Sequence, residues 1–192
     1  MKNLILVIGR SGSGKDTLVR AAQQLFGAAS IPSYTDRPMR PTETDGVEHT
    51  FLTEEGFTEI MEKERVFAYT KIGETGYRYC TTVEMLNSIG SETLFYVIDP
   101  SGYDFCKPYS GEFNLKVIYV TASTEIRKER ANLRNGDDST WAIRCEQEDA
   151  QFTDFETRKP WDAIIVNNGA LEEAQREFNE AVSRFISEAK DG

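Results

Sequence analysis

The fold is decided by the stretch Gly9-Arg10-Ser11-Gly12-Ser13-Gly14-Lys15-Asp16-Thr17, which directly follows the apolar run Leu4-Ile5-Leu6-Val7-Ile8. The stretch matches the phosphate-binding loop spacing G-x-x-x-x-G-K, with Asp16 where a Ser or Thr is expected. Glycines let successive backbone N–H groups turn toward an anion, and the start of the following helix adds partial positive charge. Lys15 would reach the outer phosphates as a point charge. The sequence therefore predicts a nucleoside triphosphate site between a strand and a helix.

Composition indicates a single globular domain. The 192 residues are 39% hydrophobic and 28% charged, which is ordinary for a soluble protein. No apolar run approaches the ~20 residues that span a membrane, and the net charge of −10 argues against a nucleic-acid or anionic membrane partner. The three cysteines have neither close pairing nor a zinc pattern, so we expect reduced thiols in a cytoplasmic protein.

Strand-like and helix-like segments alternate along most of the chain. Continuous apolar runs predict strands buried on both faces, as in a parallel sheet covered by helices, at residues 4–8, 94–98, 115–120 and 163–166. Helical patterns occupy residues 16–26, 123–133 and 139–151, and an amphipathic pattern runs from Leu171 to Phe185. A capping box, Thr81-x-x-Glu84, predicts one more short helix. The alternation predicts a doubly wound α/β fold.

Residues 33–79 interrupt this alternation and predict an inserted subdomain. They contain a helical stretch at 54–62 and short strand-like pieces at 66–69 and 77–79. Arg37 and Arg40 lie three residues apart on a segment stiffened by Pro38 and Pro41. Two guanidinium groups held in this way suit bidentate contacts to a phosphate. The alternative is a pair of solvated surface arginines.

Asp99 closes the predicted strand 94–98. An acid at the carboxyl end of a buried parallel strand, beside a phosphate-binding loop, is placed to hold Mg²⁺ directly or through water. The alternative is a simple turn, because Asp-Pro-Ser-Gly is good turn sequence. Asp16 and Thr17 are the other candidate metal ligands, since Asp16 replaces the hydroxyl that normally meets the ion.

The order and spacing of several residues beyond the loop resemble those of guanylate kinases over nearly the whole chain. They are Ser33, Arg37, Arg40, Glu43, Gly46, Phe51, Ile98-Asp99 and Ile165-Val166-Asn167. The resemblance implies a three-layer α/β sandwich, with a core of residues 1–32 and 80–192, a monophosphate-binding subdomain at 33–79 and a helical lid at about 130–144. All of this lies in one domain, residues 1–192.

The resemblance also implies residue roles. Arg37, Arg40 and Tyr79 would hold the phosphate of a nucleoside monophosphate, Ser33 would touch its base, and Glu43 would support the arginines. The remaining members of this acceptor site would be His49, Tyr69 and Thr81. Arg130, Arg134 and Arg144 match the lid arginines, which would act on the transferring group with Lys15. Taken alone, Arg130 and Arg134 could equally form a charged helix face with Glu125 and Glu129.

The chain departs from the family pattern at three places. Tyr69 stands where the family has a glutamate that accepts two guanine N–H groups, and a phenol cannot accept two parallel bonds. His49, the chain's only histidine, stands where a phosphate-contacting tyrosine is found. The loop at residues 73–76 is one residue longer, and Glu74 within it is a candidate substitute for the missing carboxylate.

We therefore expect an enzyme that uses ATP and Mg²⁺ to phosphorylate a nucleoside monophosphate, with GMP or dGMP as the first expectation, acting as a monomer or homodimer. Two alternatives remain open. The Gly14-Lys15-Asp16 variant also resembles ribose 1,5-bisphosphate phosphokinases and some phage-type deoxynucleotide kinases. A non-catalytic guanylate-kinase-like binding module is less favoured, because Lys15, Arg130 and Arg134 are all present.

Overall fold

The computed structural model describes residues 1–41, 43–47, 49–72, 75–135 and 141–191, with the backbone alone for Arg134, Asn135, Arg144 and Asp191. The strands in these residues are β1 (Asn3–Ile8), β2 (Ala29–Ser30), β3 (Ser33–Thr35), β4 (His49–Phe51), β5 (Val66–Lys71), β6 (Arg78–Thr82), β7 (Thr93–Val97), β8 (Asn114–Thr121) and β9 (Ala163–Val166). The α-helices are α1 (Lys15–Phe26), α2 (Glu54–Lys63), α3 (Val83–Ser88), α4 (Pro100–Cys106), α5 (Thr124–Asn135), α6 (Trp141–Arg158) and α7 (Leu171–Asp191). A 3₁₀ turn at Lys107–Gly111 follows α4.

A five-stranded sheet in the order β2-β7-β1-β8-β9 forms the centre of the molecule, and all its pairings are parallel. β1 is the middle strand, so the loop after Ile8 leaves the sheet at the centre of its carboxyl edge, where ligands of open α/β sheets bind. The four strands predicted from apolar runs are confirmed. The prediction that all four are buried on both faces is wrong for the edge strand β9, where Ile164 is 46% and Val166 53% exposed.

Helices cover both faces of this sheet, because successive side chains of β1 point to opposite sides. Ile5 and Val7 pack in one cluster with α1 and α7, through residues such as Leu18, Phe178 and Val182. Leu4, Leu6 and Ile8 pack in a second cluster with α3, α4 and α6. The predicted three-layer α/β sandwich with a parallel sheet is confirmed.

A second sheet, in the order β4-β3-β6-β5, is formed mainly by the predicted insertion, and β6 runs three residues past its predicted end at Tyr79. Its pairings are mixed: β3 and β4 are parallel, while β6 is antiparallel to β3 and β5. β5 packs against α4 of the first sheet's helical layer, which brings the two sheets together beside the end of β7. The three-residue strands β3 and β4 are too short for a periodic signal and were not predicted from the sequence.

The short helix α3 begins one residue later than its capping box predicts. Thr82, not Thr81, is the N-cap, and its side chain accepts a hydrogen bond from Met85 N. Glu84 instead accepts one from Arg65 N on the preceding segment, so the tertiary contact overrides the local pattern. Within the described ranges, no helix combines the length and hydropathy that crossing a bilayer requires.

Candidate active site

The loop after β1 has a backbone path that only glycine follows without strain. Gly12 and Gly14 have φ values of 77° and 89°, in the left-handed region that disfavours other residues. A Cβ on Gly12 would also lie 2.5 Å from the backbone oxygen of Arg127. The loop is therefore held against the start of α5 by a close backbone approach.

Arg130 and Asn167 hold the outer carbonyl groups of the loop. Asn167 Nδ2 donates to Ser13 O at 2.9 Å, and Arg130 Nη1 donates to Gly12 O at 3.5 Å and to Ser13 O at 3.4 Å. The two side chains also meet each other, since Arg130 Nη2 donates to Asn167 Oδ1 at 3.3 Å. Because these carbonyls point outward, the N–H groups of the same loop are left for an anion on the inner side. Arg130 thus faces the phosphate-binding loop and not the acidic residues of its own helix.

Helix α6 binds the other side of the loop through Arg10. Arg10 Nε donates to Glu156 Oε1 at 3.0 Å, a second nitrogen pairs with Asp149, and the guanidinium lies 4.9 Å from the ring centre of Phe152. Burial alone would raise the pKa of Glu156, but the hydrogen bonds from Arg10 and Tyr119 outweigh it and hold that pKa below its ordinary value. About two turns earlier on α6, Glu148 accepts a hydrogen bond from Ser11 N at 2.7 Å.

Nothing in the sequence indicates the contacts of Arg10, Arg127, Glu148 and Glu156, because residues from distant parts of the chain meet there. Asn167 carried a weak signal, since it follows the last apolar run. Of the lid residues, the Arg134 and Arg144 side chains, and residues 136–140 between α5 and α6, lie outside the described residues.

A cavity of about 290 Å³ joins the loop to the second sheet. It brings together eight of the predicted site residues: Gly9, Ser11, Lys15, Ser33, His49, Tyr69, Tyr79 and Asp99. A cavity of this size is at the small end of ligand sites, and it connects the predicted donor residue Lys15 with predicted acceptor residues. The loop and the insertion therefore form one continuous site.

Arg37 does not line this cavity, but it contacts Tyr79, which does. Its guanidinium is only 7% exposed and pairs with both oxygens of Glu43, at 2.8 and 2.5 Å, while Nε donates to Tyr79 Oη at 2.9 Å. The Arg37 hydrogen bonds lower the pKa of Glu43 to about 2. Arg40 is exposed, and its backbone N–H also donates to Glu43, at 2.9 Å. One carboxylate thus orders the whole Arg37–Arg40 segment.

His49 and Ser33 form a pair at the wall of the cavity. Ser33 Oγ and His49 Nδ1 lie 2.9 Å apart, in adjacent parallel strands where the two residues are in register. The imidazole packs edge-on against Phe51 and Tyr79, with ring centres 5.8 and 5.4 Å away. His49 therefore contacts Ser33, the serine predicted to touch the base, and also packs beside Tyr79.

Tyr69 and Asp99 lie where the two sheets meet. Tyr69 belongs to β5 of the second sheet, and Asp99 follows β7 of the first sheet. Tyr69 is half-buried, with its ring centre 6.4 Å from that of Phe105. Asp99 Oδ1 accepts hydrogen bonds from Gly102 N at 2.7 Å, which caps α4, and from Thr70 Oγ1 at 3.0 Å. The carboxylate therefore has a structural role as a cap as well as a place in the cavity. Glu74, the candidate substitute for the missing carboxylate, lies outside the described residues.

Thr81 does not reach the cavity, contrary to its expected place in the acceptor site. It is fully buried, and its hydroxyl donates to Tyr96 Oη at 2.8 Å. Tyr96 does line the cavity, and burial raises the pKa of its phenol. Thr81 therefore meets the cavity only indirectly, through its hydrogen bond to Tyr96.

The predicted metal ligands do not converge. Asp16 lines a neighbouring cavity of about 610 Å³, beside Arg20, and not the cavity that holds Lys15 and Asp99. Thr17 is exposed on the first turn of α1. No group of three or more His, Cys, Asp or Glu side chains placed to hold a metal occurs within the described ranges. Asp16 and Asp99 therefore line different cavities.

A parallel α/β sandwich whose central strand leads through a glycine-rich loop to a helix, with a lysine at the helix start, defines a phosphate-binding-loop phosphotransferase. The model of the guanylate kinase family matches residues 1–185, and the chain belongs to that family.

Individual relatives agree. The guanylate kinase of Bacteroides thetaiotaomicron is 32% identical over 188 residues, covering 96% of this chain and 90% of the relative. The guanylate kinase of Legionella pneumophila (strain Paris) is 28% identical over 185 residues, covering 94% and 85%. The crystal structure of guanylate kinase from Anaplasma phagocytophilum superposes with a TM-score of 0.64 at 18% identity, covering 96% of this chain and 87% of that one; at this identity the likeness concerns the fold alone.

Proposed function

We propose that the chain transfers the γ-phosphoryl group of ATP to GMP or dGMP, producing ADP and the nucleoside diphosphate. The observation that carries the proposal is the single cavity lined by both Lys15 and the acceptor-side residues Ser33, His49 and Tyr79. Phosphoryl transfer requires the protein to hold the donor and acceptor phosphates in line. It requires little further chemistry from the protein. A cavity shared by the two half-sites meets this requirement.

The donor nucleotide binds to residues 9–17. Backbone N–H groups of the loop and the N-terminus of α1 surround its phosphates. Lys15 neutralises the charge that develops on the transferring group, and Arg130, with Arg134 and Arg144 from the lid, adds to this stabilisation. Closure of the lid segment would also exclude water and prevent hydrolysis of ATP.

Mg²⁺ is the metal we propose for this reaction. The described residues offer few protein oxygens to hold it. Magnesium in such sites is held mainly by the nucleotide's phosphates and water, with one or two protein oxygens. Asp99 is one of two carboxylates in the cavity with Lys15, the other being Glu148, and Asp16 and Thr17 lie in the first turn of α1. When bound, the ion supplies charge neutralisation between the two outer phosphates.

The acceptor binds against the second sheet. Arg40 provides an exposed guanidinium for the acceptor phosphate, while Arg37 fixes Tyr79 beside it through the 2.9 Å bond to its hydroxyl. Ser33 meets the base, and His49 orients the Ser33 hydroxyl. An acceptor phosphate oxygen is already a nucleophile, so no general base from the protein is needed. All three cysteines are free, which favours a cytoplasmic setting for the reaction.

An assay of ADP release with a panel of nucleoside monophosphates and ribose 1,5-bisphosphate tests the proposal. We expect GMP and dGMP to give the highest kcat/KM. Because Tyr69 cannot accept two parallel N–H groups, the ratio of kcat/KM for GMP or dGMP to kcat/KM for AMP should be smaller than a carboxylate at this position would give. Tyr69→Glu should therefore raise kcat/KM for GMP by about tenfold or more and leave AMP unchanged. Turnover of ribose 1,5-bisphosphate alone would contradict the proposal.

A further inference from the structure

Glu148 on α6 already supplies an anion to the phosphate-binding loop. Its Oε1 accepts a hydrogen bond from the backbone N–H of Ser11 at 2.7 Å. The Glu148 side chain is 14% exposed and lines the same cavity as Lys15. A carboxylate therefore lies where the loop presents an N–H group to its ligand.

Arg127 on α5 completes this contact. Arg127 Nη1 donates to Glu148 Oε2 at 3.2 Å and to the carbonyl of Ser11 at 3.4 Å. Its side chain is 6% exposed, and its guanidinium lies 5.5 Å from the ring centre of Trp141. Among the described residues, Arg127 Nε is buried without a hydrogen-bond partner. We call the group of Ser11, Arg127 and Glu148 the Glu148 latch.

The position of Ser11 in the loop indicates which phosphate the latch concerns. The N–H groups at the start of α1, from Gly14 onward, form the positive end of the helix and hold the inner phosphates of a nucleotide. Ser11 lies earlier in the loop, on the side that opens into the cavity shared with the acceptor residues. The terminal phosphate of a bound triphosphate therefore points toward Ser11.

We propose that Glu148 occupies the place of the γ-phosphate in the nucleotide-free protein, and that ATP displaces it while ADP does not. One N–H group cannot donate fully to two anions, and two negative groups within about 4 Å repel each other strongly in a partly buried site. Displacement also frees Arg127 from its carboxylate, so that its positive charge compensates the incoming phosphate. The latch thus weakens ATP binding relative to ADP binding. This inference rests on the proposed donor role of the loop.

Calorimetric titration with ATP and with ADP, both with excess Mg²⁺ and no acceptor, tests the latch. Glu148→Gln keeps the size of the side chain and removes its charge, so we expect ATP to bind about tenfold more tightly and ADP to change less than twofold. Glu146→Gln is the matched control, because Glu146 is exposed on the same helix. It should change neither affinity by more than twofold. Equal changes for ATP and ADP in Glu148→Gln, or no change, would overturn the inference.

A second measurement uses the wild-type protein alone, so it does not depend on whether a variant folds. Amide hydrogen exchange should be faster in peptides from residues 141–158 with a bound non-hydrolysable ATP analogue than with bound ADP, because only the triphosphate releases Glu148 from the loop. Identical exchange in both complexes contradicts the latch. Wild-type protein that binds neither nucleotide contradicts the proposed function itself, so the two failures are distinguishable.

Discussion

The donor and acceptor halves of the site are built from different parts of the polypeptide. Around the phosphate-binding loop, most contacts involve the backbone: Gly12 abuts the backbone of Arg127, and Ser13 O accepts from Asn167. On the acceptor side, the contacts join side chains, as in the Arg37–Glu43 pair and the Ser33–His49 pair. Backbone constraints tolerate few substitutions, whereas side-chain pairs can be exchanged. The donor loop keeps the glycines and the lysine of its motif and departs from it at Asp16, while Tyr69 and His49 depart from the family pattern on the acceptor side.

The largest effect should come from the donor half. Lys15→Ala removes the point charge at the outer phosphates, and we expect kcat to fall by on the order of 10³ or more. The melting temperature should stay within a few degrees, since Lys15 is only partly buried and packs in no core cluster. Steady-state kinetics and circular dichroism check the two parts. Normal turnover by Lys15→Ala would show that Lys15 does not act in the site.

A pair of glycine substitutions tests whether the loop is constrained by its backbone. Gly12→Ala places a Cβ 2.5 Å from Arg127 O at a φ of +77°, whereas Gly27 has a φ of +61° with nothing within 4 Å. Gly27→Ala should cost about 1–2 kcal/mol in the free energy of unfolding, the ordinary left-handed penalty. Gly12→Ala should cost about 3 kcal/mol or more and weaken ATP binding at least tenfold. Urea denaturation and nucleotide titration separate the two variants; equal costs would mean that the close approach is unimportant.

The acceptor half should respond selectively to Arg40→Ala. Because we propose that the exposed Arg40 binds the acceptor phosphate, we expect KM for the monophosphate to rise by about 10- to 100-fold. KM for ATP should change less than twofold. Both constants come from initial rates with one substrate saturating. A similar rise for both substrates would place Arg40 between the half-sites.

The smallest effect concerns Glu43. Arg37 lowers the folded-state pKa of this carboxyl to about 2, from an ordinary value of 4.5, so folding favours its charged form. Its stabilising contribution is complete above pH 4.5 and is lost as the pH falls toward 2. The melting temperature of Glu43→Gln should therefore lie a few degrees below that of the wild type at neutral pH, and the gap should narrow on acidification. A gap that is constant between pH 6 and pH 3 would show that charge is not involved.

Much of the core could be predicted from the sequence, because long apolar runs and the loop motif are local signals. The edge strand β9 and the cap of α3 differ from expectation, since exposure at a sheet edge and the contact between Glu84 and Arg65 are set by tertiary neighbours. The acceptor residues were predicted through family resemblance and not through periodicity. The contacts of Arg10 and Arg127 with α6 had no signal, because they join residues more than twenty positions apart.

The close approach at Gly12 also bears on how this protein can evolve. The atom that excludes a side chain at Gly12 belongs to the backbone of Arg127 and not to its guanidinium. Any residue type at position 127 imposes the same limit on Gly12, because every residue carries this backbone oxygen. A substitution at position 127 therefore cannot open space for a side chain at position 12, and any change at Gly12 has to be accommodated by a shift of the α5 backbone.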